Sequence, residues 1–200
     1  MRKQLTFTFA LTAMSLLTTG ARAEDAHREL GPHVHGHGTL NIAIEDKRVS
    51  MELEVPGMDI VGFEHAASTD DQKAAVDKAK ARLEKPLGIF SLPTGAGCTV
   101  AEAKVAIEAE DHHDDGDDHD ADHKDAKAGY GHDEHAGHNQ FHATYALDCT
   151  NPAELTTITF DYFTLFAGAH DLTVGVVTGK GQSQFEVSRS KPTLDLGGIM

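Results

Sequence analysis

Tryptophan is absent from these 200 residues, and aromatic residues of all kinds make up 6%. Stacking platforms for sugars or single-stranded nucleic acid are built from such rings, so no groove of that kind is expected. Positive charge is scarce as well. Seventeen Lys and Arg stand against 32 Asp and Glu, for a formal net charge of −15. A surface of that sign repels nucleic acid and anionic lipid and attracts cations. Cysteine occurs only twice, as Cys98 and Cys149, far from a C-x-x-C spacing. No H-E-x-x-H, G-x-S-x-G or phosphate-loop pattern occurs, so no motif argues for an enzyme. A metalloenzyme assembled from scattered residues is the one catalytic alternative. No apolar run after residue 23 is long enough to cross a bilayer.

The first 23 residues have the pattern of a secretory signal peptide. Arg2 and Lys3 form a charged start, Leu5 to Leu17 a mostly apolar core, and Ala21-Arg22-Ala23 a small-x-small cleavage triplet. Cleavage would leave a chain beginning at Glu24, outside the cytoplasm and more acidic still, because three of the removed residues are Arg2, Lys3 and Arg22. An even pair of cysteines in an exported protein predicts a Cys98–Cys149 disulfide; a thiolate metal site is the alternative. The remaining length suits one domain with a real core.

Along residues 24–200, Leu40, Ile42 and Ile44 alternate with polar residues, and so do Val49, Met51, Leu53 and Val55. This predicts a β-hairpin with one buried face, ended by Pro56-Gly57. Thr69 with Gln72 is a capping-box signature for a helix running to about Glu84, before Pro86. Cys98–Ala109 and Gln140–Cys149 read as two strands. If they pair antiparallel with the cysteines opposed, Ile107 falls against Gln140. Yet Val105 and Ile107 then lie on one face and Tyr145 and Leu147 on the other, so a bulge or another offset is open. Thr157 to Phe166, Leu172 to Val177 and Gln184 to Val187 are strand-like, the last two joined by a turn at Gly179-Lys180-Gly181. Leu194 to Leu196 is a candidate short strand. The expected fold class is α+β, mostly antiparallel sheet with one clear helix and no βαβ alternation.

The stretch Glu110–Asn139 carries seven His (His112, His113, His119, His123, His132, His135 and His138), nine Asp and two Glu against Lys124 and Lys127. It has no Val, Ile, Leu, Met or Phe, so it is expected to be a flexible loop. Imidazole and carboxylate together bind divalent transition metals. The loop therefore reads as a metal collector, against the plainer reading of a solvated acidic loop. A second cluster, His33, His35 and His37, precedes the first strand. In an extended chain residues two apart share a side, so these three would converge on one ion. His65 and His142 are single candidates for a further ligand, and Asp59 and Glu64 are candidate carboxylate ligands or partners of ligands. The composition fits divalent transition metals, Zn²⁺ among them, and does not name the metal, since imidazole sites generally prefer Cu²⁺ over Zn²⁺.

Three segments carry a family resemblance: His33-Val-His-Gly-His-Gly-Thr-Leu-Asn-Ile-Ala-Ile-Glu, Asp59-Ile-Val-Gly-Phe-Glu-His65-Ala, and Phe141-His-Ala-Thr-Tyr145 with Cys149. Together with the internal His/Asp-rich insert they resemble the periplasmic zinc-binding proteins of the ZrgA type over nearly the whole exported chain. The resemblance implies a secreted bacterial protein with an αβ fold rich in antiparallel strands, zinc binding and a role in zinc acquisition. It bears most directly on His33, His35, His65 and His142. The family commonly has Pro at the position of Ala167 and no His at that of His170, which leaves His170 without a family role. The functional expectation is periplasmic capture of scarce zinc to support its uptake, with a zinc uptake transporter or its binding protein as receiving partner. The alternative is sequestration of excess zinc, nickel or copper. Neither a nucleic-acid partner nor membrane insertion is expected, and the chain is too short for a two-lobed solute-binding body.

Overall fold

A computed structural model describes residues 34–109 and 138–200, without the side chain of Ala109. The expected signal segment, His33 and the histidines 112, 113, 119, 123, 132 and 135 lie outside these residues.

The alternating stretches form the predicted hairpin, β1 (His37–Glu45) and β2 (Arg48–Pro56), with Leu40 opposite Leu53 and Ile42 opposite Met51. Two long strands, β4 (Cys98–Ala109) and β5 (Asn139–Cys149), extend it on one side. On the other side lie β7 (Asp171–Thr178) and β8 (Gly181–Ser188). The order in this six-stranded sheet is β4-β5-β2-β1-β7-β8. All neighbours are antiparallel except β1 and β7, which run parallel.

The expected disulfide joins Cys98 to Cys149. The pairing first follows the predicted register, with Thr99 opposite Asp148 and Val100 opposite Leu147, and then shifts by one between Val100 and Glu102. Ile107 therefore faces Phe141, not Gln140. The bulge resolves the phase conflict in the sequence: it turns Val105 and Ile107 onto the face that Tyr145 and Leu147 bury.

One face of the sheet is apolar, and its central residues Leu40, Leu53, Leu172 and Val174 are fully buried. Each such side chain contributes roughly 1.5–3 kcal/mol relative to exposure. Covering this face are helix α2 (Asp70–Leu83), through Ala79 and Leu83, and a small sheet of β3 (Phe90–Ser91), β6 (Thr157–Phe160) and β9 (Thr193–Asp195). Phe90 meets Tyr145 of the large sheet edge to face at 6.3 Å. The capping box at Thr69 and Gln72 is formed on both sides.

Two local expectations change. The apolar connector after Pro56 contains a short helix, α1 (Gly57–Val61). The strand expected through Phe166 stops at Phe160, and Tyr162–Leu165 forms a helical turn, α3. Tyr162 and Phe163 are consecutive and both buried, which a strand with one apolar face does not accommodate but a helical turn does. Among the described residues no helix is long and apolar enough to cross a membrane.

Candidate metal centre

The opposite face of the six-stranded sheet is polar. The register aligns His142, Glu54, Thr39, Thr173 and Glu186 in one row across β5, β2, β1, β7 and β8. Directly opposed residues share a face, so this row and its neighbours two residues along collect imidazoles and carboxylates from chain positions over a hundred residues apart.

Three groups result. Two lie on the sheet face. In the first, His142 Nε2 donates to Glu52 Oε1 at 3.0 Å, and Nδ1 stands 3.3 Å from Glu108 Oε1. Glu54 completes that group, accepting from the Thr39 hydroxyl at 3.4 Å. In the second, His37 Nδ1 meets Asp171 Oδ1 and His37 Nε2 meets Thr173 Oγ1 at 3.1 Å; Thr173 donates in turn to Glu186 Oε1 at 2.9 Å. Within each of the sets Glu52/Glu54/His142 and His37/Asp171/Glu186, one ligand atom per residue lies within 4.8 Å of the others. Such spacing suits an ion with ligands about 2.0–2.2 Å away.

The third group sits at the end of the sheet where β1, β5 and β7 begin; its carboxylate is well buried, but its donor atoms, unlike those of the other two groups, do not all lie within 4.8 Å of one another. Helix α1 ends on Gly62 in the left-handed conformation, and the chain then runs past the start of β5, where Asn139 N donates to Glu64 O at 2.7 Å. That pairing brings His138 to Glu64. His35 arrives from a turn closed by a hydrogen bond from His37 N to Val34 O at 3.0 Å, with Gly36 at φ +86°. Gly36 N donates to Asp59 Oδ1 at 2.7 Å, which anchors this turn on α1. The carboxylate of Glu64, its side chain 11% exposed, is thus held on both sides: His35 Nε2 donates to Oε1 at 2.8 Å and His138 Nδ1 to Oε2 at 2.6 Å. Burial alone would raise the Glu64 pKa, but the hydrogen bonds and charge of His138 and His35 bring it below the ordinary value.

Behind Glu64 lies Asp59, 3% exposed. Its pKa is raised, chiefly by burial, against the Gly36 hydrogen bond and the charges of His35 and His170; Glu64 adds to the rise. Asp59 Oδ2 has no hydrogen-bond partner among the described residues. The Asp59 charge also bears on the fully buried Tyr162, whose hydroxyl likewise has no hydrogen-bond partner among the described residues.

The turn at His35-Gly36 changes one expectation. An extended His33–His37 segment would put its histidines on one side. Reversal of the chain at Gly36 instead sends His35 to Glu64 and His37 to Asp171. His65 is exposed, stacks on Phe63 with ring centroids 5.1 Å apart, and contacts Ala66 O and Gln72 rather than the three groups. Glu52, Glu54, Glu108, Asp171 and Glu186 were not singled out from the sequence. Alternation marked them as the polar face and nothing more; only strand order makes them neighbours of histidines.

No curated protein matches the chain. Residues 32–196 match the family model described as ZrgA family zinc uptake protein. That span takes in every strand and all three groups, and the chain belongs to the ZrgA family of zinc uptake proteins.

Proposed function

We propose that this protein is an exported zinc binder, not an enzyme, which captures Zn²⁺ outside the cytoplasm and supports its uptake at the His35–Glu64–His138 group. One observation carries the reading: an enclosed glutamate held between two imidazoles, one from each His-rich stretch of the sequence. Family membership supports zinc as the cargo. Ligand chemistry alone does not, because imidazole sites commonly bind Cu²⁺ more tightly than Zn²⁺. The Cys98–Cys149 disulfide is compatible with an oxidising compartment such as the periplasm.

On metal binding the imidazole nitrogens must give up their protons, and the hydrogen bonds to Glu64 are exchanged for bonds to the ion. Zinc affinity is therefore expected to fall as pH is lowered. The test is native mass spectrometry at limiting Zn²⁺ on the chain from Glu24, beside a His35→Ala/Glu64→Gln variant. The proposal expects one tightly held ion in the parent and its loss in the variant. Equal retention of that ion in both would place the tight site elsewhere.

A further inference from the structure

The polar face of the six-stranded sheet carries donors that share no residue with the Glu64 group. Glu52 and Glu54 stand two residues apart on β2 and so project to the same side. His142 on β5 lies directly opposite Glu54, and on its other flank it faces Ala106 of β4. Ala106 ends at its Cβ, which lets the imidazole reach past it to Glu108, two residues further along β4. The two ring nitrogens are thereby committed to different carboxylates: Nε2 to Glu52 Oε1 at 3.0 Å and Nδ1 to Glu108 Oε1 at 3.3 Å. One ligand atom each from Glu52, Glu54 and His142 lies within 4.8 Å of the others. Among the described residues no Lys or Arg is ion-paired with Glu52, Glu54 or Glu108; Lys104, on the same face of β4, is taken by Glu102 at 2.5 Å. Three carboxylates around one imidazole thus lack a compensating cation, and like charges so placed repel one another.

We propose that Glu52, Glu54 and His142 Nε2 are the ligands of a second divalent transition-metal ion, distinct from the one at Glu64, and that Glu108 is the positioning residue that orients His142. A metal-bound histidine characteristically donates its other ring N–H to a carboxylate, which fixes the tautomer and raises the basicity of the ligating nitrogen. Glu108 stands where that partner belongs. An entering ion takes the place of the proton that Nε2 donates to Glu52, while the Nδ1 proton stays on the side of Glu108. Thr39 supports Glu54 in a similar way, its hydroxyl donating to Oε2 at 3.4 Å. Three protein ligands are the number found in zinc sites that leave one position to water. On a partly exposed sheet face such an ion exchanges more readily than one enclosed by four ligands. One imidazole with two carboxylates does not select a single first-row metal; zinc is the probe because the family takes it up.

The experiment follows the imidazole nitrogens of the chain from Glu24, labelled at histidine, by long-range proton–nitrogen NMR as Zn²⁺ is raised to excess. His142→Ala assigns the His142 signals by their absence. Nε2 of His142 is expected to take the shift of a metal-bound nitrogen while Nδ1 keeps its proton, in the parent and equally in His35→Ala/Glu64→Gln. Glu52→Gln/Glu54→Gln is expected to abolish that change. Glu108→Gln is expected to keep Nε2 as the bound atom but to need about 10–100-fold more free zinc. These side chains lie on the sheet surface, so the metal-free backbone amide spectra of the variants should match the parent's, which separates loss of a ligand from loss of the fold. His142 signals unmoved by excess zinc, or moved equally in Glu52→Gln/Glu54→Gln, would overturn the site. Loss of the change in His35→Ala/Glu64→Gln would overturn the separate ion, and a metal-bound Nδ1 would overturn the role of Glu108. An ion at Glu64 stands or falls by its own variant in each case.

Discussion

Asp59 and Glu64 lie five residues apart in the same connector, and their environments move them in opposite directions. The Asp59 pKa is raised, mainly by burial. Its contribution to stability is then fully present below the unfolded value and lost as pH rises through the folded one. At neutral pH the ionised carboxylate is a burden on the metal-free fold. The Glu64 pKa is lowered by its two histidine partners, which outweigh its burial. Its contribution is present above the unfolded value and lost as pH falls through the folded one. Metal-free Asp59→Asn should therefore unfold at a higher denaturant concentration than the parent at pH 7, and Glu64→Gln at a lower one. Denaturation midpoints across pH 3 to 8 test both signs; a lower midpoint for Asp59→Asn at pH 7 would contradict the first.

At the level of elements, β4 and β5 carry the His-rich stretch and are joined by the one disulfide at their other end. The cystine closes a loop with a sequence separation of 51. In the chain-entropy description a loop of that length contributes about 4 kcal/mol. Cys98→Ala/Cys149→Ala is expected to lower the free energy of unfolding by up to about that amount while leaving zinc affinity nearly intact, since the two convergent donor groups and the Glu64 group lie away from the cystine. Equilibrium denaturation and a zinc titration on the same variant check both halves. A large loss of affinity would mean that strain at the disulfide end reaches Glu64. The bulge between Val100 and Glu102 matters here too, because it sets which face Glu108 reaches. One residue of slip would take Glu108 away from His142 and bury a carboxylate.

For the whole molecule, a body with preformed donor groups is joined to a stretch of 30 residues that holds half of the chain's histidines. Ala109 and Asn139 are paired across β4 and β5, so the intervening residues can be replaced by a short turn without disturbing the register. Deleting 110–137 in this way is expected to leave the fold and the tight ion in place and to lower the number of ions bound at excess zinc. The acidic stretch should also speed capture at low ionic strength, an advantage that salt removes. Native mass spectrometry for stoichiometry and stopped-flow capture rates at two salt concentrations test this. Loss of every bound ion in the deletion variant would assign the whole metal capacity to the removed residues.

Much of this protein was legible in the amino-acid order alone. The period-two patterns of Leu40 to Ile44 and Val49 to Val55 encode the hairpin. Thr69 and Gln72 encode the start of α2. The phase conflict between Val105/Ile107 and Tyr145/Leu147 pointed to a bulge or another offset, and the structure has the bulge. Divalent-metal chemistry, though not which metal, was legible in the His and Asp content, and His35, His37, His138 and His142 were all marked as donors. Alternation, however, reports only which face a side chain takes; it does not name the strand alongside. The parallel pairing of β1 with β7 unites His37 with Asp171, 134 residues away. The placement of β5 beside β2 unites His142 with Glu52. The partner of each histidine is a property of strand order, which is decided by how the apolar face as a whole is buried. The turn at Gly36 sets where His35 stands, and it depends on contacts that exist only once the chain has closed.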